Sequence, residues 1–211
     1  MAHNIAITIG RQFGSSGHEI GVRLGELLGY KVYDKELITM AAEKKGLHPD
    51  FLRRVDEKAT NSLLYTLAMS TSLYRAHHAG VEFSINDQLF VAQTEIIKEA
   101  VQQENAVFIG RCADYILRKH PARISFFIYA DFETRVARVM AEKECSRKEA
   151  EDLINKTDKH RVNYYNFYTG KKWGKFENYH FMIDSSVLGV EGTAQMLAQM
   201  VKIYAANMEN E

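Results

Sequence analysis

The stretch Ile5-Ala-Ile-Thr-Ile-Gly-Arg-Gln-Phe-Gly-Ser-Ser-Gly-His-Glu-Ile20 constrains the fold of this chain more than any other. Ile5 to Ile9 is an unbroken β-rich run, the pattern of a strand covered on both faces. Gly14, Ser15, Ser16 and Gly17 follow with little side chain, and Ile20, Leu24, Leu27 and Leu28 then recur at helical spacing as far as Gly29. A strand, a small-residue turn and a helix in that order allow successive backbone N–H groups to surround an anion at the helix start. The stretch therefore reads as a phosphate cradle, with an ordinary strand-to-helix turn as the alternative.

Aligned on Gly17, the P-loop pattern G-x-x-x-x-G-K-[ST] puts Gln12 at its first glycine, His18 at its lysine and Glu19 at its Ser/Thr. The rest of the composition narrows what the anion can be. Lys plus Arg equals Asp plus Glu at 27 each, so no bulk basic field exists to hold a nucleic-acid backbone, and a small polyanion fits better. With 211 residues and 46% hydrophobic content the chain can bury a core, as one domain with an insertion or as two small ones. Cys112 and Cys145 lack metal-ligand spacing and read as plain thiols in a reducing compartment. The N-terminus runs straight into the first strand, and no apolar run reaches the ~18 residues of a membrane span, so a cytoplasmic protein without membrane partners is expected.

After the first helix, Lys31 to Tyr33 reads as a short strand with Asp34 at its carboxyl end. Asp34 is either a substrate contact or the N-cap of a helix that begins Asp34-Lys-Glu. From Leu37 to Gln103 the pattern is almost wholly helical, with a turn at Gly46 to Pro49 and a break at His77-His78, and it reads as an insertion between strands. Adjacent histidines cannot share a helical face, which argues against a metal site there. Asn105 to Arg111 returns to a buried strand, followed by a helix from Cys112 to Lys119. Arg111 falls at the same sheet edge as Gly14 to Gly17, as a ligand contact or as a surface arginine.

Arg123 to Tyr129 is a fourth strand, and a helix with acids in its first turn opens at Ala130-Asp-Phe-Glu133. Ser146-Arg-Lys-Glu149 is a capping box for a helix that carries Lys156, Lys159 and Arg161. The aromatics of Asn163 to Trp173 suggest either base stacking or a flap packed on the core, and zero net charge favours the flap. Tyr179 to Ile183 is a fifth strand, and Asp184-Ser-Ser leads through Gly189 into a C-terminal helix. Alternating strands and helices give an α/β fold with a parallel sheet.

Five motifs then line up in order: Gly10 to Ile20, Val32-Tyr-Asp-Lys-Glu-Leu-Ile38, Val107-Phe-Ile-Gly-Arg-Cys-Ala-Asp-Tyr-Ile-Leu117, Lys159-His-Arg with Tyr164 to Gly170, and Tyr179-His-Phe-Met-Ile-Asp-Ser-Ser186. Together they resemble the cytidylate-kinase-like family of P-loop proteins over essentially the whole chain. The resemblance implies a single P-loop core domain over 1–211, with a five-stranded parallel sheet flanked by helices. It also implies a helical acceptor-site insertion at about 35–104 and a lid at about 145–175. The implied activity is transfer of the γ-phosphoryl group from ATP, with Mg2+, to a nucleoside monophosphate such as CMP or dCMP.

On that resemblance, Gly14, Ser15, Ser16, Gly17, His18 and Glu19 hold the donor phosphates. Lys159 and Arg161 close from the lid on the transferring group, with Arg11 or His18 adding charge, while Asp34, Arg111 and Asp114 face the acceptor. Glu19 is the candidate magnesium ligand, directly or through water. His18 and Glu19 replace the usual lysine and hydroxyl, and one lost preorganised charge contact costs about 3 kcal/mol, or about 10² in rate. Two alternatives follow: a regulatory module that binds nucleotide or anion with little or no transfer, and a kinase for another small metabolite.

Overall fold

Strand β1 (Ala6–Arg11) is the centre of the molecule because its alternate residues are apolar toward both faces. The computed structural model of the protein describes residues 3–34, 36–44 and 85–209. The predicted turn at Gly46 to Pro49, the helical positions from Phe51 to Leu73 and the break at His77-His78 lie outside the described residues.

Five parallel strands form one sheet in the order β2-β3-β1-β4-β5. They are β1, β2 (Lys31–Tyr33), β3 (Ala106–Ile109), β4 (Arg123–Tyr129) and β5 (Phe181–Asp184). Helix α1 (Gly17–Leu28) follows β1, and α2 (Glu36–Lys44) and α3 (Ile85–Gln103) come between β2 and β3. The one-turn α4 (Ala113–Ile116) follows β3, and α5 (Phe132–Lys143) and α6 (Arg147–Thr169) follow β4. The last helix, α7 (Ser185–Glu209), is kinked at Gly189, whose φ of 64° and ψ of −169° interrupt its first turn. Every strand connection is a crossover, as parallel pairing requires.

The chain divides into two compact units, Met1–Asp34 with Ile97–Glu211, and Lys35–Ile96. The first holds the sheet and its core. Ile7 and Ile9 of β1 pack with Ile20 and Leu24 of α1, Ile124, Phe126 and Ile128 of β4, and Ala194, Leu197 and Val201 of α7. Gly10 turns to the opposite face, where an added Cβ would press on Phe127 and Tyr179. In the second unit Lys44 of α2 lies 3.5 Å from Glu95 of α3.

The local signals account for these ends. The Ser146 hydroxyl and the Glu149 carboxylate form the predicted capping box of α6, and Asp131 caps α5 by accepting from the Thr134 N–H at 2.9 Å. The predicted flap differs: residues 163–169 continue α6 as helix because Tyr165 is buried, its hydroxyl donating to Asp114 at 2.7 Å. The helix predicted over Cys112 to Lys119 contracts to Ala113–Ile116, and the fifth strand starts two residues later than predicted, at Phe181. Both cysteines are free thiols, and burial pushes the Cys112 thiol up. No helix among the described residues is long and apolar enough to cross a membrane.

Candidate active site

The turn between β1 and α1 is built without room for side chains. Gln12 extends the sheet by donating to Ile128 O at 3.0 Å, and its carbonyl then accepts the Ser15 hydroxyl at 2.9 Å. That closes the chain around Gly14, whose φ of 75° favours glycine. An added Cβ at Gly14 would lie 3.0 Å from the Arg135 carbonyl, and one at Gly17 would fall on the Arg11 side chain. Ser16, the left-handed N-cap of α1, makes no side-chain capping bond. Among the described residues, the N–H groups of Gly14, Ser16, Gly17, His18 and Glu19 have no partner within the chain. Unpaired donors at a helix N-terminus are an anion site by construction.

Arg11 closes β1 and runs beneath this turn. Its Nη2 lies 3.7 Å from Asp34 Oδ1 at the end of β2, and its Nε is buried with no hydrogen-bond partner among the described residues. The guanidinium lies against Gly110, where an added Cβ would meet its Nη1. Burial, the charge of Arg161 and, less, that of Arg111 lower the Arg11 pKa to about 9, against the opposing pull of Asp34 and Glu19.

Arg111 follows β3, the neighbour of β1, through a left-handed run of three residues: Gly110, Arg111 and Cys112 have φ of 76°, 55° and 56°. A non-glycine residue in that region costs about 1–2 kcal/mol, so this turn holds strain where strands end beside the cradle. Arg161 arrives from α6 and donates from Nη1 to Arg11 O at 2.8 Å. His160 beside it is held low by burial and by the charges of Arg111 and Arg161. Three guanidiniums from three elements thus act on one another, opposed by Asp34, Asp158 and Glu19, and an anion among them would relieve their mutual repulsion.

The other predicted residues are disposed differently. His18 is exposed, with Nε2 3.0 Å from Asp34 Oδ2, so both Asp34 oxygens have cationic or imidazole neighbours. Glu19 is exposed in the first turn of α1. Lys159 is exposed on α6, about 200° around the helix from Arg161. Asp114 is buried and accepts from Tyr165; burial raises its pKa against the lowering effect of that bond.

Of the residues that brace the turn, Ser185 lies in the last of the five motifs, and Asp158, Arg135 and Arg138 lie in none. Asp158 accepts from Phe13 N at 2.8 Å and pairs with Arg135 at 2.6 Å, and Arg135 also donates to Phe13 O at 3.3 Å. On the other side, buried Ser185 donates from Oγ to Ser15 O at 2.6 Å. The available sequence signal was spacing: Arg135 and Arg138, like Asp158 and Arg161, are three apart and share a helical face.

Magnesium fits the donor set only in company. Among the described residues no group of three His, Cys, Asp or Glu side chains could hold a metal ion. Magnesium bound between phosphates and one or two carboxylates needs no such cage.

A family model described as cytidylate kinase-like matches residues 6–187. An uncharacterized protein from Eubacterium ventriosum, solved as a crystal structure, is 28% identical with a TM-score of 0.68, over 94% of this chain and 99% of that one. A shikimate kinase from Bacteroides thetaiotaomicron is 12% identical with a TM-score of 0.50, over 94% of this chain and 98% of its own. A sugar kinase from Janibacter sp. is 12% identical with a TM-score of 0.51, over 96% and 97%. At that identity the last two speak for the fold alone. A search of curated proteins gave no significant match. The architecture is that of the P-loop kinases, and the chain belongs to the cytidylate kinase-like family.

Proposed function

We propose that this protein transfers the γ-phosphoryl group of ATP to a nucleoside monophosphate, with CMP or dCMP as the first acceptors to test. One observation carries the reading: the β1–α1 turn with its unpaired amides, Arg11 and Arg111 stand at the ends of adjacent strands, and Arg161 of α6 donates to the Arg11 carbonyl there. In the transfer an acceptor phosphate oxygen bonds to the γ-phosphorus as the bond to the β-phosphate oxygen breaks. The protein's task is positioning and charge neutralisation rather than covalent chemistry.

Gly14 to Gly17, with His18 and Glu19, cradle the donor phosphates. Arg11 and Arg161 offset charge on the transferring group, with His18 and Lys159 as further candidates. Arg111 receives the acceptor phosphate beside Asp34, while Asp114 contributes by holding Tyr165 on α6. Magnesium supplies charge neutralisation between the phosphates, and Glu19 is the carboxylate that would hold it.

Purified protein, ATP and magnesium are incubated with CMP, dCMP, UMP, AMP or GMP, and diphosphate product is followed by phosphorus NMR. CDP or dCDP as the fastest product supports the reading, and no product from any acceptor removes it. His18 beside Asp34, in place of a free P-loop cation, favours a second reading: a nucleotide-binding module with little transfer. ATP binding by calorimetry without turnover selects that one, and turnover only with non-nucleotide acceptors selects a metabolite kinase.

A further inference from the structure

In a trans peptide the carbonyl of one residue and the N–H of the next point in opposite directions. Whatever holds the outer carbonyls of the β1–α1 turn therefore aims its inner amides. The Phe13 carbonyl accepts Arg135 Nη1 at 3.3 Å, which directs the Gly14 N–H the other way. Asp158 completes this brace, taking the Phe13 N–H on Oδ1 at 2.8 Å and Arg135 on Oδ2 at 2.6 Å. The Ser15 carbonyl accepts Ser185 Oγ at 2.6 Å, which does the same for the Ser16 N–H.

The second brace is fixed as firmly as the first. Arg138 donates from Nη1 to Ser185 Oγ at 3.0 Å and from Nη2 to Ser185 O at 3.1 Å. With Oγ accepting from a guanidinium, its single proton is left for a carbonyl, and Ser15 O is nearer than Tyr129 O at 3.2 Å. Both braces start from one face of α5, since Arg135 and Arg138 are three residues apart. Helix α5 also touches the turn directly, with no room for a Cβ at Gly14 beside the Arg135 backbone. The two amides so aimed, at Gly14 and Ser16, are among those with no partner among the described residues.

We propose that Asp158 with Arg135, and Ser185 with Arg138, are positioning residues that set the Gly14 and Ser16 amides for a polyphosphate. The proposal rests on the phosphate-cradle reading and adds four residues that the turn's own sequence does not contain. Each brace acts on a different amide. Losing one is therefore a local fault in phosphate binding, distinct from a general loss of packing.

The test is a pyrophosphate titration of the ¹⁵N-labelled protein and of Ser185→Ala and Asp158→Asn, with ATP kinetics alongside. In the parent, the Gly14 and Ser16 amides shift on binding. Ser185→Ala is expected to abolish the Ser16 shift and keep that of Gly14, and Asp158→Asn to do the reverse. Each variant should bind pyrophosphate about 10-fold more weakly, the loss expected for one hydrogen bond to a charged group. ATP KM should rise while acceptor KM holds. Arg138→Lys, which keeps the charge but loses the two-pronged grip, carries the Ser185 arm if the alanine variant does not fold. Variants that bind within about 2-fold of the parent, or that perturb both amides alike, overturn the proposal. A parent that binds neither pyrophosphate nor ATP overturns the phosphate-cradle reading, and the proposal with it.

Discussion

His18 Nε2 lies 3.0 Å from Asp34 Oδ2, so the side chain at the P-loop lysine position is held beside a carboxylate. The other Asp34 oxygen lies 3.7 Å from Arg11 Nη2, so a guanidinium shares this carboxylate with the imidazole. Arg11→Met is therefore expected to lower kcat by about 10², the usual cost of one preorganised charge contact. His18→Gln should lower it less than about 10-fold. Steady-state kinetics on both variants decides the matter, and a His18→Gln loss as large as that of Arg11→Met would return the role to His18.

Two left-handed glycines separate backbone strain from a close approach. Gly29 has φ of 68° with open space around its missing Cβ, and Gly110 has φ of 76° with the Arg11 guanidinium there. Gly29→Ala should cost only the backbone penalty of about 1 kcal/mol, lowering Tm by about 3 °C and leaving turnover alone. Gly110→Ala adds displacement of Arg11, so its Tm should fall further and its kcat should follow that of Arg11→Met. Thermal melts paired with turnover check both. Equal behaviour of the two variants would mean that the Arg11 position does not matter.

What the sequence discloses here depends on whether the interaction is local. The β1 strand, the turn and α1 are continuous in sequence, so apolar runs and small residues mark them directly. The capping box of α6 is equally local, between Ser146 and Glu149. The Asp158 bond to Phe13 spans 145 residues and the Ser185 bond to Ser15 spans 170, and no short pattern encodes either. Tyr165 shows the same limit: its residues read as an aromatic flap until the fold supplies Asp114 as partner and the segment stays helical. The three central strands were legible because they are written in largely apolar runs of four to seven residues, as in Phe108 with its β3 neighbours.

Asp114 gives a stability prediction with a definite sign. Burial raises its folded pKa above the ordinary 3.8, with the Tyr165 bond pulling the other way. Between 3.8 and the raised value the folded chain binds more protons than the unfolded one, so this group's contribution falls as pH rises through that window. Asp114→Asn keeps an acceptor for Tyr165 and carries no charge at any pH. Its Tm relative to the parent should therefore be more favourable at pH 7 than at pH 3.5. An unchanged Tm difference between those pH values, together with a raised acceptor KM, would favour direct contact of Asp114 with the acceptor.

His160 extends the same reasoning to ligand binding. Burial and the charges of Arg111 and Arg161 hold its pKa below the ordinary 6.5. In the window between that lowered value and 6.5 the unfolded chain binds more protons, so this contribution to stability rises with pH and is lost on acidification. An anion between Arg111 and Arg161 offsets the two charges that oppose protonation and so raises the His160 pKa. Binding must then take up a proton at mildly acidic pH, and by linkage affinity must increase as pH falls there. Calorimetry of pyrophosphate binding at pH 6 in two buffers of different ionisation heat measures the net proton exchange, to which the ligand contributes alike in parent and variant. His160→Gln should therefore bind with less net uptake than the parent, and equal exchange in the two would place the titrating group elsewhere.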